Sequence, residues 1–158
     1  MLWWWTWIRE GYLERLFMIN CPLFGLKLHW FYGPDWDQDC HDHPWWFVSL
    51  VLRGSYTERR QTVKHPYMGC DVDQLHKMYL DSEMVTTRKR WSVAFRRAKD
   101  IHKIIEVEEG TVTLILNGPR RRSWGFWAPM EPGSGHLSPM RWVPWRLYLG
   151  LPPKQKEV

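Results

Sequence analysis

Apolar and polar residues alternate along most of this chain, and the period of that alternation predicts its elements. From residue 23 onward the period is two: LFGLKLHWFY (23–32) predicts a strand, and WFVSLVLR (46–53) is a nearly continuous apolar run of the kind carried by a strand in mid-sheet. Arg53-Gly54-Ser55 is a turn signal leading into the polar, β-branched SYTERRQTV, so a hairpin is predicted there. Residues 64–83, with Pro66, Gly69 and several acids, predict a long excursion before MVTTRKRWSVAF resumes β character, with Trp91, Val93 and Phe95 alternating. IHKIIEV and TVTLILNG predict a second hairpin around Glu108-Glu109-Gly110. The last quarter, rich in Pro129, Pro132, Gly133, Gly135, Pro139 and Pro144, predicts a loop returning to a final strand, WRLYLGL. Only near the start does the period change. Ile8, Tyr12, Leu16 and Phe17 recur at three-to-four spacing amid Arg9, Glu10, Glu14 and Arg15, which predicts one amphipathic helix.

Short strands recurring every 8 to 12 residues or so predict an all-β sandwich or barrel, here with a short N-terminal helix. No repeat or low-complexity linker interrupts the chain, so residues 1–158 are expected to form a single domain: an N-terminal arm or helix (1–22), a β-barrel (23–150) and a charged tail (151–158). A chain of 158 residues buries roughly two thirds of its unfolded surface and needs no staple. Cys21, Cys40 and Cys70 are odd in number and widely spaced, which argues against a disulfide framework and for a reducing, cytoplasmic location. The absence of CxxC excludes a zinc ribbon.

The apolar run MLWWWTWI ends at Arg9, lacks a basic leader and is too short to span a bilayer, so no membrane partner is expected. Lys and Arg number 22 against 17 Asp and Glu, a net charge of +5, too small for a dedicated nucleic-acid surface. The 13 tryptophans lie mostly in apolar segments where packing accounts for them. A tryptophan-rich N-terminus is costly to leave in water, and predicts either a homodimer or an arm packed across the sheet.

The candidate chemistry lies in the histidines. In DCHDHPWW, His41 and His43 are two apart, so on an extended strand both imidazoles face one side and can reach a single metal ion. His102, at the start of a predicted strand with Ile104 as its same-face neighbour, is the candidate third ligand. Three neutral imidazoles would leave coordination positions open for substrate or water. The plain alternative makes His41 and His43 surface residues before Pro44 and His102 a satisfied core histidine. His29, His65, His76 and His136 lack partners at diagnostic spacing and read as surface or loop residues.

The spacing from His41-x-His43 through position 47 to Gly54 resembles the first sequence motif of the cupin superfamily, with His102 as the lone histidine of the second. HDHPWWFVSLVLRGSYTE, GPRRRSWGFW and WVPWR are further similar to uncharacterised cupin-like proteins of bacteriophages and bacteria. The resemblance spans roughly residues 36–148 and implies a double-stranded β-helix, the cupin jelly-roll barrel, around a divalent transition metal: Fe(II) first, with Zn, Mn or Ni as alternatives. For a phage-encoded chain it also implies the host cytoplasm. Cupins include dioxygenases, isomerases, epimerases and non-enzymatic binders, so fold alone does not settle function.

The departures are specific. The motif's usual Glu is replaced by Phe47, its opening Gly falls at Asp35, and the Gly, Pro and Asn expected around His102 are missing. Either the site is purely three-histidine, as in the thiol dioxygenase branch, or another carboxylate substitutes. If the turn at Gly54 pairs residue 49 with 58, Glu58 reaches the cavity as fourth ligand or general base, and Tyr56 on the same face is a candidate proton donor.

GPRRRSWGFW supplies the expected substrate contacts. In strand geometry Arg120 and Arg122 face one way and Arg121 the other. Guanidinium groups grip carboxylates and phosphates in pairs, so Arg120, Arg122 and Arg96, with Trp124 for stacking, predict a small anionic ligand or substrate. The functional expectation is a metal-binding cupin, with a metal-dependent dioxygenase or an isomerase as the enzymatic form. A non-enzymatic binding module for a small ligand or protein is the alternative, and single-stranded nucleic-acid binding ranks third.

Overall fold

The computed structural model describes residues 4–9, 11–64, 79–130 and 139–151. Twelve strands lie among them: β1 (Trp4–Arg9), β2 (Leu13–Asn20), β3 (Gly25–Phe31), β4 (Cys40–His41), β5 (Phe47–Arg53), β6 (Ser55–Lys64), β7 (Tyr79–Lys89), β8 (Val93–Arg96), β9 (Ile101–Val107), β10 (Thr111–Asn117), β11 (Gly125–Pro129) and β12 (Met140–Pro144). They form two six-stranded antiparallel sheets, ordered β1-β2-β3-β10-β5-β8 and β12-β11-β4-β9-β6-β7. The all-β expectation holds.

The N-terminal helix does not form. β1 and β2 pair antiparallel around Gly11 (φ 73°) and extend the first sheet. Gly11 sits in the middle of the expected helix, where glycine is costly, and the aromatic residues before it favour a pleated surface. Three-to-four spacing emerged there because the inward face of β2 carries Arg15 between Leu13 and Phe17, a charge that hides the period of two. Trp4 stacks on Phe17 with centroids 4.7 Å apart and Trp5 packs on Trp30 at 5.0 Å, contacts made within the sheet, of which β1 is the edge strand.

Neither predicted hairpin forms. β5 pairs with β10 and β8, whereas β6 pairs with β9 and β7, so Gly54 carries the chain from one sheet to the other. Gly110 does the same between β9 and β10. The two corners lock together. Ser55 N–H donates to Thr111 Oγ1 (3.1 Å), Glu108 N–H donates to Ser55 O (2.9 Å), and Thr111 is fully buried. Tight turns and sheet-switching corners share the same glycine signal, which explains the misreading.

WRLYLGL is not a strand either. Residues Trp145–Tyr148 form a single helical turn, α1, after the proline that ends β12. Residues 118–124 form a loop, so the strand alternation expected for Arg120 and Arg122 does not apply. The predicted excursion is shorter than expected at both ends, with β6 reaching Lys64 and β7 beginning at Tyr79. His65, Pro66, Gly69, Cys70, His76, Pro132, Gly133, Gly135, His136 and most of the charged tail lie outside the described residues.

The apolar core, Leu13, Phe31, Val51, Tyr56 and Ile104, fills one end of the space between the sheets. Elsewhere the inward face mixes apolar residues such as Phe47, Ala94 and Ile115 with polar and charged ones. β3 turns Lys27 and His29 inward and Leu26, Leu28 and Trp30 the other way, while β8 buries Ala94 and Arg96 and leaves Val93 and Phe95 exposed. Charged side chains on an inner face are expensive unless the space between the sheets holds partners for them. Here that space is a cavity of about 290 Å³.

Candidate metal centre

His41, His43 and His102 converge in this cavity from two separate pieces of backbone, the segment through β4 and the start of β9. β4 is a two-residue strand between β9 and β11, and its register places His41 opposite His102. His43 lies just beyond it, held by its own N–H donating to Ala98 O (3.0 Å). The expected alternation persists across the end of the strand. Asp42 points the other way and accepts hydrogen bonds from Gly125 N–H (2.9 Å) and Trp142 Nε1 (3.0 Å).

One ring nitrogen from each histidine lies within 4.8 Å of the others, and His43 Nε2 and His102 Nε2 are 2.7 Å apart. Two protonated rings cannot share that contact. Burial pushes His41 and His102 down to about 4 and His43 well below its usual value, so all three are neutral near pH 7, as metal ligation requires.

The outward nitrogens face carboxylates. His102 Nδ1 lies 3.5 Å from Glu58 Oε2, and His41 Nδ1 lies 4.0 Å from Asp35 Oδ2. Both Nδ1 atoms are buried and lack a hydrogen bond of normal length. A ligand ring backed by a carboxylate is the usual arrangement around protein metals, so the donor set fits a divalent transition ion. Asp35 is fixed for that position, accepting from the Ile104 N–H (2.7 Å) and from the Tyr12 hydroxyl. It is the carboxylate that sequence reasoning missed, because Asp35 stood there only as a departure from the cupin glycine.

Glu58 reaches the cavity by another route than the one expected. Ser49 pairs with Ala94 and Ile115 rather than Glu58, and Glu58 is placed opposite Ile104 by the β6–β9 ladder. It is 1% exposed and bound by the Arg96 guanidinium and by Arg88 Nε at 3.1 Å. Phe47 packs edge-on against the His43 ring at 4.8 Å, next to the triad and where the cupin motif has Glu. Tyr56 lines the cavity beside Phe31.

Among the expected substrate contacts, Arg96, Arg120 and Trp124 line the cavity, and Trp124 meets His41 edge-on at 5.9 Å. Arg122 is not part of the lining. Its guanidinium lies 2.9 Å from Asp42 and donates to Ala98 O (3.2 Å). His29, read from the sequence as a surface or loop residue, stands on β3 within the cavity wall and accepts a hydrogen bond from Arg15 Nε (2.9 Å). Cys21 and Cys40 are unpaired thiols. Among the described residues no helix is long and apolar enough to cross a membrane.

Two antiparallel sheets exchanging strands at glycine corners, with a histidine triad on their inner surface, decide the architecture. This is a cupin fold. The barrel superposes on DMSP lyase DddQ from Ruegeria pomeroyi with a TM-score of 0.51 at 9% identity, over 78% of this chain and 60% of that one. An uncharacterised protein with a double-stranded beta-helix domain from Klebsiella pneumoniae gives 0.49 at 15% identity, over 75% of this chain and 86% of that one. An RmlC-like cupin from Shewanella frigidimarina gives 0.48 at 15%, over 76% and 86%. No family model and no curated protein matches the sequence. At such identities the likeness is one of fold, and the cupin barrel's chemistry has to be argued from its own residues.

Proposed function

We propose that this cupin binds a divalent transition metal through His41, His43 and His102 and acts on a small anionic substrate in the adjoining cavity. The observation that carries the proposal is the triad itself: three neutral imidazoles on one centre, two of them backed by buried carboxylates, opening onto about 290 Å³ of space. That volume is at the low end for small-molecule sites. A divalent ion held there would supply Lewis-acid or dioxygen chemistry, consistent with a non-haem oxygenase or an isomerase, and Fe(II) is the first ion to try, followed by Zn, Mn and Ni.

The protein's own groups divide the remaining work. Phe47 contributes no ligand, which favours the three-histidine form. Glu58 holds His102 in orientation, and to act as a general base it would first have to release Arg88 and Arg96. Tyr56 lines the same cavity and is the candidate proton donor. Arg120 and Trp124 line the cavity beside the triad and receive the substrate there. The competing reading, a binding module without turnover, shares the barrel but needs no open position on the metal.

Elemental analysis of the purified protein beside a His41→Ala/His43→Ala double variant tests the centre. About one transition metal per chain in the wild type, lost in the variant, is the expected result. Absence of metal after reconstitution with Fe(II), Mn(II), Ni(II) and Zn(II) would overturn it.

A further inference from the structure

The outer face of the first sheet is apolar from edge to edge. Residues that line the cavity, such as His29, Ser49 and Thr113, alternate along their strands with residues on the opposite face, and the ladders set the latter in rows. One row runs Trp5, Leu16, Leu28, Leu114, Leu50 and Val93 through all six strands. The next, from Ile19 on β2 to Phe95 on β8, is equally free of polar residues. An antiparallel sheet that turns one face to water normally carries polar side chains on it. Here Trp5 is 57%, Val93 60% and Phe95 53% exposed.

No further layer of the fold stands over this face among the described residues. All twelve strands belong to the two sheets, and α1 packs on β11 and β12 of the second one. Most of the chain outside the described residues also branches from the second sheet: 65–78 joins β6 to β7, 131–138 joins β11 to β12, and 152–158 follows α1. Six strands about 4.8 Å apart, carrying three rows about 6.7 Å apart, span on the order of 600 Å². That is as large as the apolar patch a monomer usually leaves in water, and two such faces together reach about 1,200 Å², where stable interfaces begin.

The pattern of the face is that of a surface which fits itself. About the midline between β3 and β10, Leu28 mirrors Leu114, Leu26 mirrors Leu116, and Leu16 on β2 answers Leu50 on β5. A two-fold axis along that midline therefore lays each leucine over a leucine of the other copy. The charges bordering the face obey the same relation. Glu14, opposite Trp30, and Arg53, opposite Val112, lie in one row on β2 and β5, so the axis brings the acid of one copy to the base of the other. We infer that a second copy of this chain covers the outer face of the first sheet, packed sheet on sheet about a two-fold axis along the strands. The pairing does not depend on the metal centre. It braces the cavity all the same, because Val48 and Leu50 in the interface alternate with Phe47 and Ser49 in the cavity wall.

Sedimentation equilibrium of the wild type beside Leu116→Lys/Phe95→Lys tests the interface, with Val85→Lys, at a 53% exposed position on the edge strand of the second sheet, as control. The wild type is expected at twice the 19.2 kDa chain mass, with a Tm that rises with protein concentration. Leu116→Lys/Phe95→Lys should raise the dissociation constant about 100-fold or more, and Val85→Lys should leave it within a few-fold. Both lysines enter at positions exposed in the single chain, so the circular dichroism spectrum should not change. If that variant nonetheless unfolds, Glu14→Arg and Arg53→Glu carry the test: each alone should weaken the dimer about tenfold, and the two together should restore it within a few-fold.

A wild type that sediments as a single chain at every concentration overturns the inference, and flotation with phosphatidylcholine vesicles then shows whether a lipid surface takes the place of the second copy. A dimer that survives Leu116→Lys/Phe95→Lys overturns it as well, since the copies then meet elsewhere. Losses that add in the Glu14→Arg/Arg53→Glu variant overturn the two-fold arrangement.

Discussion

Glu58 is where one carboxylate meets Arg96, Arg88 and the back of His102, with the acid 1% and Arg96 4% exposed. Removing one member of a buried ion pair strands the others, so Glu58→Gln should cost about 3–5 kcal/mol of unfolding free energy in a urea titration. The same change takes the charged acceptor from behind His102 and should weaken metal binding roughly 10- to 100-fold. A variant as stable as wild type with unchanged metal affinity would show that Glu58 neither anchors the arginines nor orients the ring. At this scale the sequence was partly legible. The i, i+2 relation of His41 and His43 needs only local geometry, and Asp42 obeys it by pointing away. Asp35 and Arg15 were not, because their places in the cavity wall depend on strands that meet only in three dimensions.

The strands explain why. Sequence patterning assumes that apolar residues face inward, yet on β3 and β8 the inward positions are Lys27, His29 and Arg96 while Val93 and Phe95 face solvent. A barrel with a working interior inverts part of its pattern, and β2, with Arg15 inward, read as a helix for that reason. Period two still identified most strands, but it cannot say which sheet a strand joins. Gly54 and Gly110 show the consequence, since both look like hairpin turns and both are crossings between sheets. They also make a paired prediction. Both have positive φ, 72° and 77°, but a Cβ at Gly54 collides with Thr111, whereas one at Gly110 meets nothing within 4 Å. Gly110→Ala should therefore cost only the backbone term, about 1–2 kcal/mol, and Gly54→Ala clearly more, because Thr111 belongs to the locked corner. Equal losses in chemical denaturation would mean that the corner yields without resistance.

Across the whole molecule, the buried imidazoles tie stability to pH. His41 and His102 are held down to about 4, with burial as the main cause; Asp35 pulls both upward, while Lys103 adds to the depression of His41 and Arg96 and Arg60 to that of His102. His43 and His29 are also depressed, with Arg15 and Lys27 adding to burial in each case. In the unfolded chain these rings titrate near 6.5, so between about 6.5 and 4 the unfolded state binds protons that the folded state refuses. Their contribution is complete above pH 7 and is lost as pH falls through that window, on the order of 3 kcal/mol for a ring held down to about 4. Metal-free protein should accordingly show a midpoint in urea that drops steeply from pH 7 to pH 5, and His41→Ala/His43→Ala should flatten that slope. Zn(II) at 100 times its Kd should add about 2.7 kcal/mol at pH 7. Protons and metal compete for the same nitrogens, so that increment should shrink toward pH 5. A wild-type profile flat across this range, or as steep in the double variant, would mean that the triad is hydrated and protonates freely, which removes the neutral donor set on which the metal centre depends.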